Sequence, residues 1–266
     1  MLDYRSLLFV PGNRPERFAK AVDSGADLVC IDLEDAVAPD EKDAAREATV
    51  AFLKDAPAHV GVRINEPGSD LIESDQDAIA GLDLPFVMVP KVDSRAEVES
   101  LRVEAPVMPV LESARAILAA SEIMAHPSVT MALFGGGDYA ADLGIPMEWD
   151  GFLYPRSHLA VCATAHDVLL FDVPFLAVRD LEGGTEDTRR VAGLGIDARA
   201  AIHPAQIPVI HSVMTPGADE VDQAERLRAA YQESKGNAAL LDGKLIEAPM
   251  LRAAEKTLAR AKRGES

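Results

Sequence analysis

Residues 105–140 read APVMPVLESARAILAASEIMAHPSVTMALFGGGDYA, and the way this stretch divides decides the fold. Two apolar runs, 107–111 and 129–134, flank a segment of helical pattern. Each stops at a carboxylate, Glu112 directly and Asp138 after three glycines. An apolar run closed by turn residues reads as a buried strand. Two such runs around one helix make a βαβ unit, whose strands lie parallel and usually adjacent. Both carboxylates then leave the sheet at its C-terminal edge, close enough to share a divalent cation of the magnesium type, which takes carboxylate oxygens and fills its shell with water and substrate. Gly135, Gly136 and Gly137 leave room for a ligand to approach the backbone and offer amide N–H groups to its anionic end. Each residue also has a plainer reading, since a Glu after a strand answers a helix dipole and a glycine run makes a loop. Pairing within one βαβ unit favours the functional reading.

Working outward, the same alternation recurs. The pattern predicts strands at 6–10, 27–33, 60–65, 86–90, 107–111, 129–134, 174–178 and 200–203, with helices between them, among others at 40–54, about 155–170 and 185–194. Eight strand–helix units imply a parallel sheet, closed as an α/β TIM (β/α)8 barrel, for which 266 residues is an ordinary length. The barrel is expected over 1–215. Residues 216–266 read as a C-terminal helical appendage: a charged helix at 217–235, a short extended piece at 244–248 and a last helix, packed on its own or a neighbouring subunit.

In such barrels active sites form at the C-terminal ends of the strands, where Arg63, Lys91, Glu112, Asp138 and His203 are placed. Asp32, Glu34 and Asp35 crowd the end of the second strand, and the next helix begins only near Asp40. Arg63 lies on the opposite face from Val62 and Ile64. A guanidinium among apolar neighbours needs either a protein carboxylate or an anionic ligand. His203, just before Pro204, reads first as a helix start.

The formal net charge of −18 argues against a nucleic-acid or anionic-membrane partner. Cys30 falls in an apolar run as a small core residue. With Cys162 the only other cysteine, the chain fits a reducing cytoplasm rather than a disulfide scaffold. No cleavable leader pattern or bilayer-length apolar run is read, so a soluble cytoplasmic protein is expected. Neither a GxGxxG fingerprint nor a GxxxxGK[ST] loop occurs.

Seven motifs in collinear order, RSLLFVPGN at 5–13, DLEDAV at 32–37, VRIN at 62–65, VPKV at 89–92, the strand ending in Glu112, FGGGD at 134–138 and AIHPAQI at 201–207, resemble the citrate lyase β-subunit family, within the HpcH/HpaI aldolase-like acyl-CoA lyases. The resemblance implies a modified TIM barrel, a homo-oligomer (homotrimer or hexamer) and Mg²⁺ as cofactor. By motif match, Glu112 and Asp138 are the metal ligands, Arg63 clamps a substrate carboxylate, and Glu34 and Asp35 hold water near the metal. The implied reaction cleaves a 3-hydroxyacyl thioester, carried on coenzyme A or an acyl carrier protein, to a 2-oxo acid such as oxaloacetate and an acetyl thioester. The glycine amides at 135–137 are candidate donors to the substrate anion. Two departures stand out. Glu247 occupies a place where relatives carry an Asp that acts as acid or base from a neighbouring subunit. Ala198 and Arg199 replace a common Gly and Lys, which points to an altered carrier contact. Alternatives on the same fold are a 2-oxo acid aldolase, a malyl-thioester hydrolase or condensing enzyme, and a non-catalytic scaffold subunit.

Overall fold

The computed structural model describes residues 4–234 and 237–262. Eight parallel strands pair in sequence order, β1 Ser6–Pro11, β2 Leu28–Asp32, β3 Val60–Arg63, β4 Val87–Val89, β5 Val107–Leu111, β6 Met131–Phe134, β7 Leu169–Asp172 and β8 Ala198–Ala201, and β8 closes the barrel on β1. The helices of this part are α1 Phe18–Val22, α2 Lys42–Leu53, α3 Ile72–Ile79, α4 Arg95–Ser100, α5 Ala114–Met124, α6 Gly136–Leu143, α7 Trp149–Ala165 and α8 Leu181–Ala192. Within α9, Ile207–Met214, the chain divides into two compact units between Ile210 and His211. The second unit holds α10 Ala218–Glu233, an antiparallel pair of β9 Ala239–Leu241 with β10 Lys244–Ile246, and α11 Ala248–Ala261. Ala224, Ala254 and Leu258 are buried where α10 meets α11.

Strand parity accounts for core and site together. Leu7, Leu28, Cys30, Phe86, Met88, Met108, Val110, Met131, Leu133, Leu169, Phe171, Ala198 and Ala200 form one buried cluster. On each strand these residues are two apart, as side chains on one face of a strand must be, and together they fill the barrel. β3 contributes Gly61, where a Cβ would come within 2.7 Å of the Phe86 ring. Only glycine leaves space for that ring. Carrying the same parity to the ends of the strands reaches Asp32 on β2, Arg63 on β3, Glu112 after β5 and Gly135 after β6. Val62 and Ile64, on the other parity, are fully buried toward the helices.

The seventh strand lies elsewhere than expected. It is Leu169–Asp172, and 174–178 falls in the loop that follows. α7 spans Trp149–Ala165 with Pro155 inside it; it buries one face, and its outer face carries the exposed apolar residues Leu153, Tyr154 and Val161. Without an amphipathic period, nothing marked where that helix stopped, and the apolar VLL of the strand read as its continuation. The turn at Asp167, with φ of 55°, ends it. β8 likewise starts two residues earlier than expected, at Ala198. Lys235, at the end of the expected charged helix, Gly236, at the start of the expected turn, and Arg263 lie outside the described residues. Among the described residues no helix is long and apolar enough to cross a membrane.

Candidate active site

At the mouth of the barrel a cavity of about 480 Å³ is walled by Asp32, Asp35, Arg63, Glu112, Gly135, Gly136, Gly137 and Asp138, with Phe9, Val173 and Ile202 supplying apolar surface. Its volume suits a small molecule.

Register brings the two central carboxylates to neighbouring strand ends. Leu111 pairs with Phe134, and the Gly135 N–H donates to the Leu111 carbonyl at 3.1 Å. Glu112 is 6% exposed and its Oε1 accepts the Lys91 N–H at 2.7 Å. A Cβ on Gly135 would overlap Glu112 Cβ and Oε2, so this glycine is required by a close approach. Burial pushes the Glu112 pKa up to about 8; the charges of Asp138 and Glu34 add to the shift and the Lys91 amide opposes it. Asp138 sits in the first turn of α6. There the amides of Gly136 and Gly137 have no intrahelical acceptor, while that of Gly135 is spent in the strand ladder. Two of the three expected anion donors therefore remain. Gly136 is also confined, because a Cβ there would stand 2.9 Å from the Phe152 ring.

The donor set suits a hard cation. Among the described residues no group of three or more His, Cys, Asp or Glu forms a ready metal cage. Glu112 and Asp138 offer carboxylate oxygens only, and burial, with the neighbouring carboxylates adding to it and Arg63 opposing it, disfavours the charge on Glu112. A divalent ion that takes one or two carboxylates and completes its shell with water and substrate would favour the charged form.

Arg63 answers the alternative left open by its sequence context with protein partners. Its Nε and Nη2 donate to Asp32 Oδ1 and Oδ2 at 2.7 and 2.6 Å, and Nη1 lies 2.9 Å from Glu34 Oε2. Its guanidinium stacks over Phe9 at 5.2 Å. Burial works against its charge, but the Asp32 bonds and the charges of Asp32 and Glu34 outweigh that and raise its pKa. A guanidinium has five N–H donors, so these contacts leave part of the fork for a ligand in the cavity that Arg63 lines. Glu34, unlike Asp35, does not wall the cavity. It stands behind Arg63, 5% exposed, with Oε1 3.3 Å from Lys91 Nζ and neither oxygen aligned for a hydrogen bond.

Of three supporting residues, Asp32 and Lys91 were placed at the strand ends from sequence without a role, and Lys42 was not singled out. Asp32, noted there only as one of a crowd of acids, is the partner that orients Arg63. Lys91 has φ of 52°, a left-handed conformation that costs a non-glycine residue about 1–2 kcal/mol. Lys42 donates from Nζ to the carbonyls of Leu33 and Glu34 and to Asn65 Oδ1, at 2.6, 2.7 and 2.8 Å, tying together the loops after β2 and β3. The signal for Lys42 was available: a cation at the first residue of a helix stands at the wrong end of its dipole, so it needs another reason to be there.

Behind the cavity wall runs a second set of charges. Asp172, fully buried, accepts from Arg156 Nε and Nη2, both at 2.9 Å. Arg199 donates to the Val173 carbonyl at 3.1 Å and Thr188 Oγ1 at 2.8 Å, and pairs with Asp187. With 1% exposure, Arg199 faces the helices. It has the opposite parity from Ala198 and Ala200, which face the barrel interior. Glu247 lies in the second compact unit, exposed, at the N-cap of α11. His203 caps the turn after β8, its Nδ1 accepting the Ala205 N–H at 3.1 Å. It also walls a second hollow of about 450 Å³, together with Arg17 and Lys20. That hollow shares Phe9, Pro11 and Ile202 with the first cavity.

Comparison with known proteins gives a consistent picture. Residues 5–204 match the family model described as HpcH/HpaI aldolase/citrate lyase. A citrate lyase subunit beta-like protein of Mycobacterium tuberculosis is 37% identical over 96% of this chain and 94% of its own length. A (3S)-malyl-CoA thioesterase of Cereibacter sphaeroides is 33% identical over 97% of this chain and 94% of its own. The crystal structure of CitE from M. tuberculosis in complex with magnesium, acetoacetate and coenzyme A superposes with a TM-score of 0.88 at 36% identity, covering 98% of both chains.

Proposed function

Because the chain belongs to the HpcH/HpaI aldolase/citrate lyase family, we propose that it is a Mg²⁺-dependent carbon–carbon lyase cleaving a short 3-hydroxyacyl thioester to a 2-oxo acid and an acetyl thioester. One observation carries this reading: Glu112, Asp138 and Arg63, from three different strand ends, wall a single cavity. Magnesium in the related CitE structure supports the choice of ion.

Glu112 and Asp138 hold the Mg²⁺, which supplies Lewis acidity and a template for the reacting oxygens. Arg63, oriented by Asp32, binds the substrate carboxylate with the free part of its fork. The Gly136 and Gly137 amides donate to the same anion. Asp35, exposed on the cavity wall, holds water near the metal, and Glu34 serves by fixing Arg63. In the reaction the substrate hydroxyl gives up its proton, the adjacent carbon–carbon bond breaks, a ketone forms, and the released thioester enolate takes a proton to become a methyl group. Glu247, from the C-terminal extension of a neighbouring subunit, is assigned that proton transfer.

The hollow bearing Arg17, Lys20 and His203 opens beside the cavity in a protein of strongly negative charge. It favours a carrier with anionic groups of its own, and coenzyme A in the related structure supports that choice. A cytoplasmic homotrimer or hexamer is proposed, with residues 1–215 as its catalytic barrel and 216–266 as its extension. A second reading, hydrolysis of a malyl thioester, is favoured by the likeness to the malyl-CoA thioesterase. Exchange of solvent deuterium into the methyl of acetyl-CoA, with and without oxaloacetate or glyoxylate, separates the two.

Calorimetry tests the site directly. Wild-type protein should bind Mg²⁺ and, with it, oxaloacetate; Glu112→Gln and Asp138→Asn should fold and lose both. Undiminished binding by either variant overturns the metal assignment.

A further inference from the structure

We infer that Lys91 is a positioning residue that serves both halves of the site at once, its backbone fixing Glu112 and its ammonium fixing the carboxylate that steadies Arg63. The inference rests on the roles proposed above for Glu112 and Arg63. Lys91 follows Pro90 at the end of β4 and takes φ of 52°. Glycine adopts that conformation freely and lysine does not. A strained residue persists where its surroundings over-determine it, and here two contacts do so.

The first contact is made by the backbone. The left-handed turn aims the Lys91 N–H at Glu112 Oε1, 2.7 Å away. Oε2 lies against Gly135, which walls the cavity. Glu112 is thus left with Oε2 as the oxygen free for an ion. The second contact is made by the side chain. Nζ lies 3.3 Å from Glu34 Oε1 and 2.8 Å from Glu66 Oε2, while Glu34 Oε2 is 2.9 Å from Arg63 Nη1. Lys91 therefore shares with Arg63 the task of answering Glu34. Without the ammonium, Arg63 alone faces both Glu34 and Asp32 and is drawn back from the cavity. Lys91 itself does not wall the cavity, so it acts through its neighbours and not on the substrate. The chain keeps lysine where its backbone favours glycine, and what glycine lacks is the ammonium.

The two contacts separate by substitution. Lys91→Gly keeps the amide where it is and removes the ammonium. Lys91→Met removes the ammonium and keeps a side chain that favours relaxing out of the left-handed region. Lys91→Arg restores a cation. Folding of each full-length variant is checked by circular dichroism; Mg²⁺ affinity, oxaloacetate affinity at saturating Mg²⁺, and kcat and KM are then measured. Lys91→Gly should hold Mg²⁺ within about twofold of wild type and bind oxaloacetate about tenfold more weakly, the scale of effect that outer-shell partners have. Lys91→Met should weaken both, with Lys91→Ala in its place if the Met variant does not fold. Lys91→Arg should recover most of the oxaloacetate affinity. Wild-type oxaloacetate binding in Lys91→Gly overturns the side-chain role, and wild-type Mg²⁺ binding in Lys91→Met overturns the backbone role. Glu112→Gln is the control: if it still binds Mg²⁺, the metal reading itself has failed, whereas its loss of binding beside unaltered Lys91 variants defeats this inference alone.

Discussion

Two clusters of arginine and carboxylate stand back to back at the mouth of the barrel, on opposite parities of its strands, and their charge balances differ. In the outer one, Asp172 and Asp187 meet Arg156 and Arg199, two acids against two cations, with Asp172 and both arginines at 2% exposure or less. In the inner one, Asp32, Glu34, Asp35, Glu112 and Asp138 meet Arg63, Lys91 and Lys42, five acids against three cations, and a cavity opens among them. The outer set is balanced in charge, and only a smaller hollow of about 170 Å³ touches Arg156, Asp187 and Arg199. The inner set is short of positive charge, and burial, with neighbouring carboxylates adding to it, raises the pKa of both Glu112 and Glu34. Similar residue types thus make a structural tie on one face of the strands and a ligand site on the other, and the balance of charge is what separates them.

The comparison breaks first where its halves differ most. Removing a charge from the outer set leaves a buried arginine without its partner, so Asp172→Asn should lower unfolding free energy in denaturant melts by roughly 3–5 kcal/mol. Mg²⁺ affinity of the protein that remains folded should stay near wild type; a large change there would mean that the clusters are not separate. On the inner side Gly135→Ala pushes a methyl group into Glu112. It should cost up to about 100-fold in Mg²⁺ affinity, as displaced ligand support does, with a much smaller effect on melting. Arg63→Lys keeps the charge and loses the fork; about tenfold weaker oxaloacetate binding is expected by calorimetry, worth one charged hydrogen bond. Unaltered affinity would make Arg63 another structural tie.

The mildest test is pH. A proton competes with Mg²⁺ for Glu112 below its pKa of about 8, so Mg²⁺ affinity should fall by at most about tenfold per pH unit as pH drops from 8. The metal-free protein shows the opposite trend. A carboxyl whose pKa is raised on folding contributes stability that is present below its ordinary value of 4.5 and lost as pH rises through about 8. The thermal shift that Mg²⁺ confers should therefore be larger at pH 8.5 than at pH 6.5. A shift independent of pH would detach Glu112 from the ion.

Much of this was legible in the chain because it depends on local periods. The apolar runs ending in Glu112 and Gly135 gave the βαβ unit, and alternation at Val62, Arg63 and Ile64 put the guanidinium on the inner face. β7 was misplaced because α7 carries apolar residues on its exposed face as well as its buried one, so no stripe shows where it ends. The Arg63–Asp32 pair, 31 residues apart, and the backbone turn at Lys91 depend on strand pairing and on the approach of Glu112 across the barrel rim. No local pattern encodes either.

Strand parity also sets a rule for anyone who would splice this barrel. Each strand behaves like a two-letter reading frame, so loops or whole strands exchanged with a relative must be joined in even steps. An odd join at β3 would turn Arg63 out among the helices and bring Val62 or Ile64 to the ion's side, leaving a well-packed protein with its chemistry facing the wrong way.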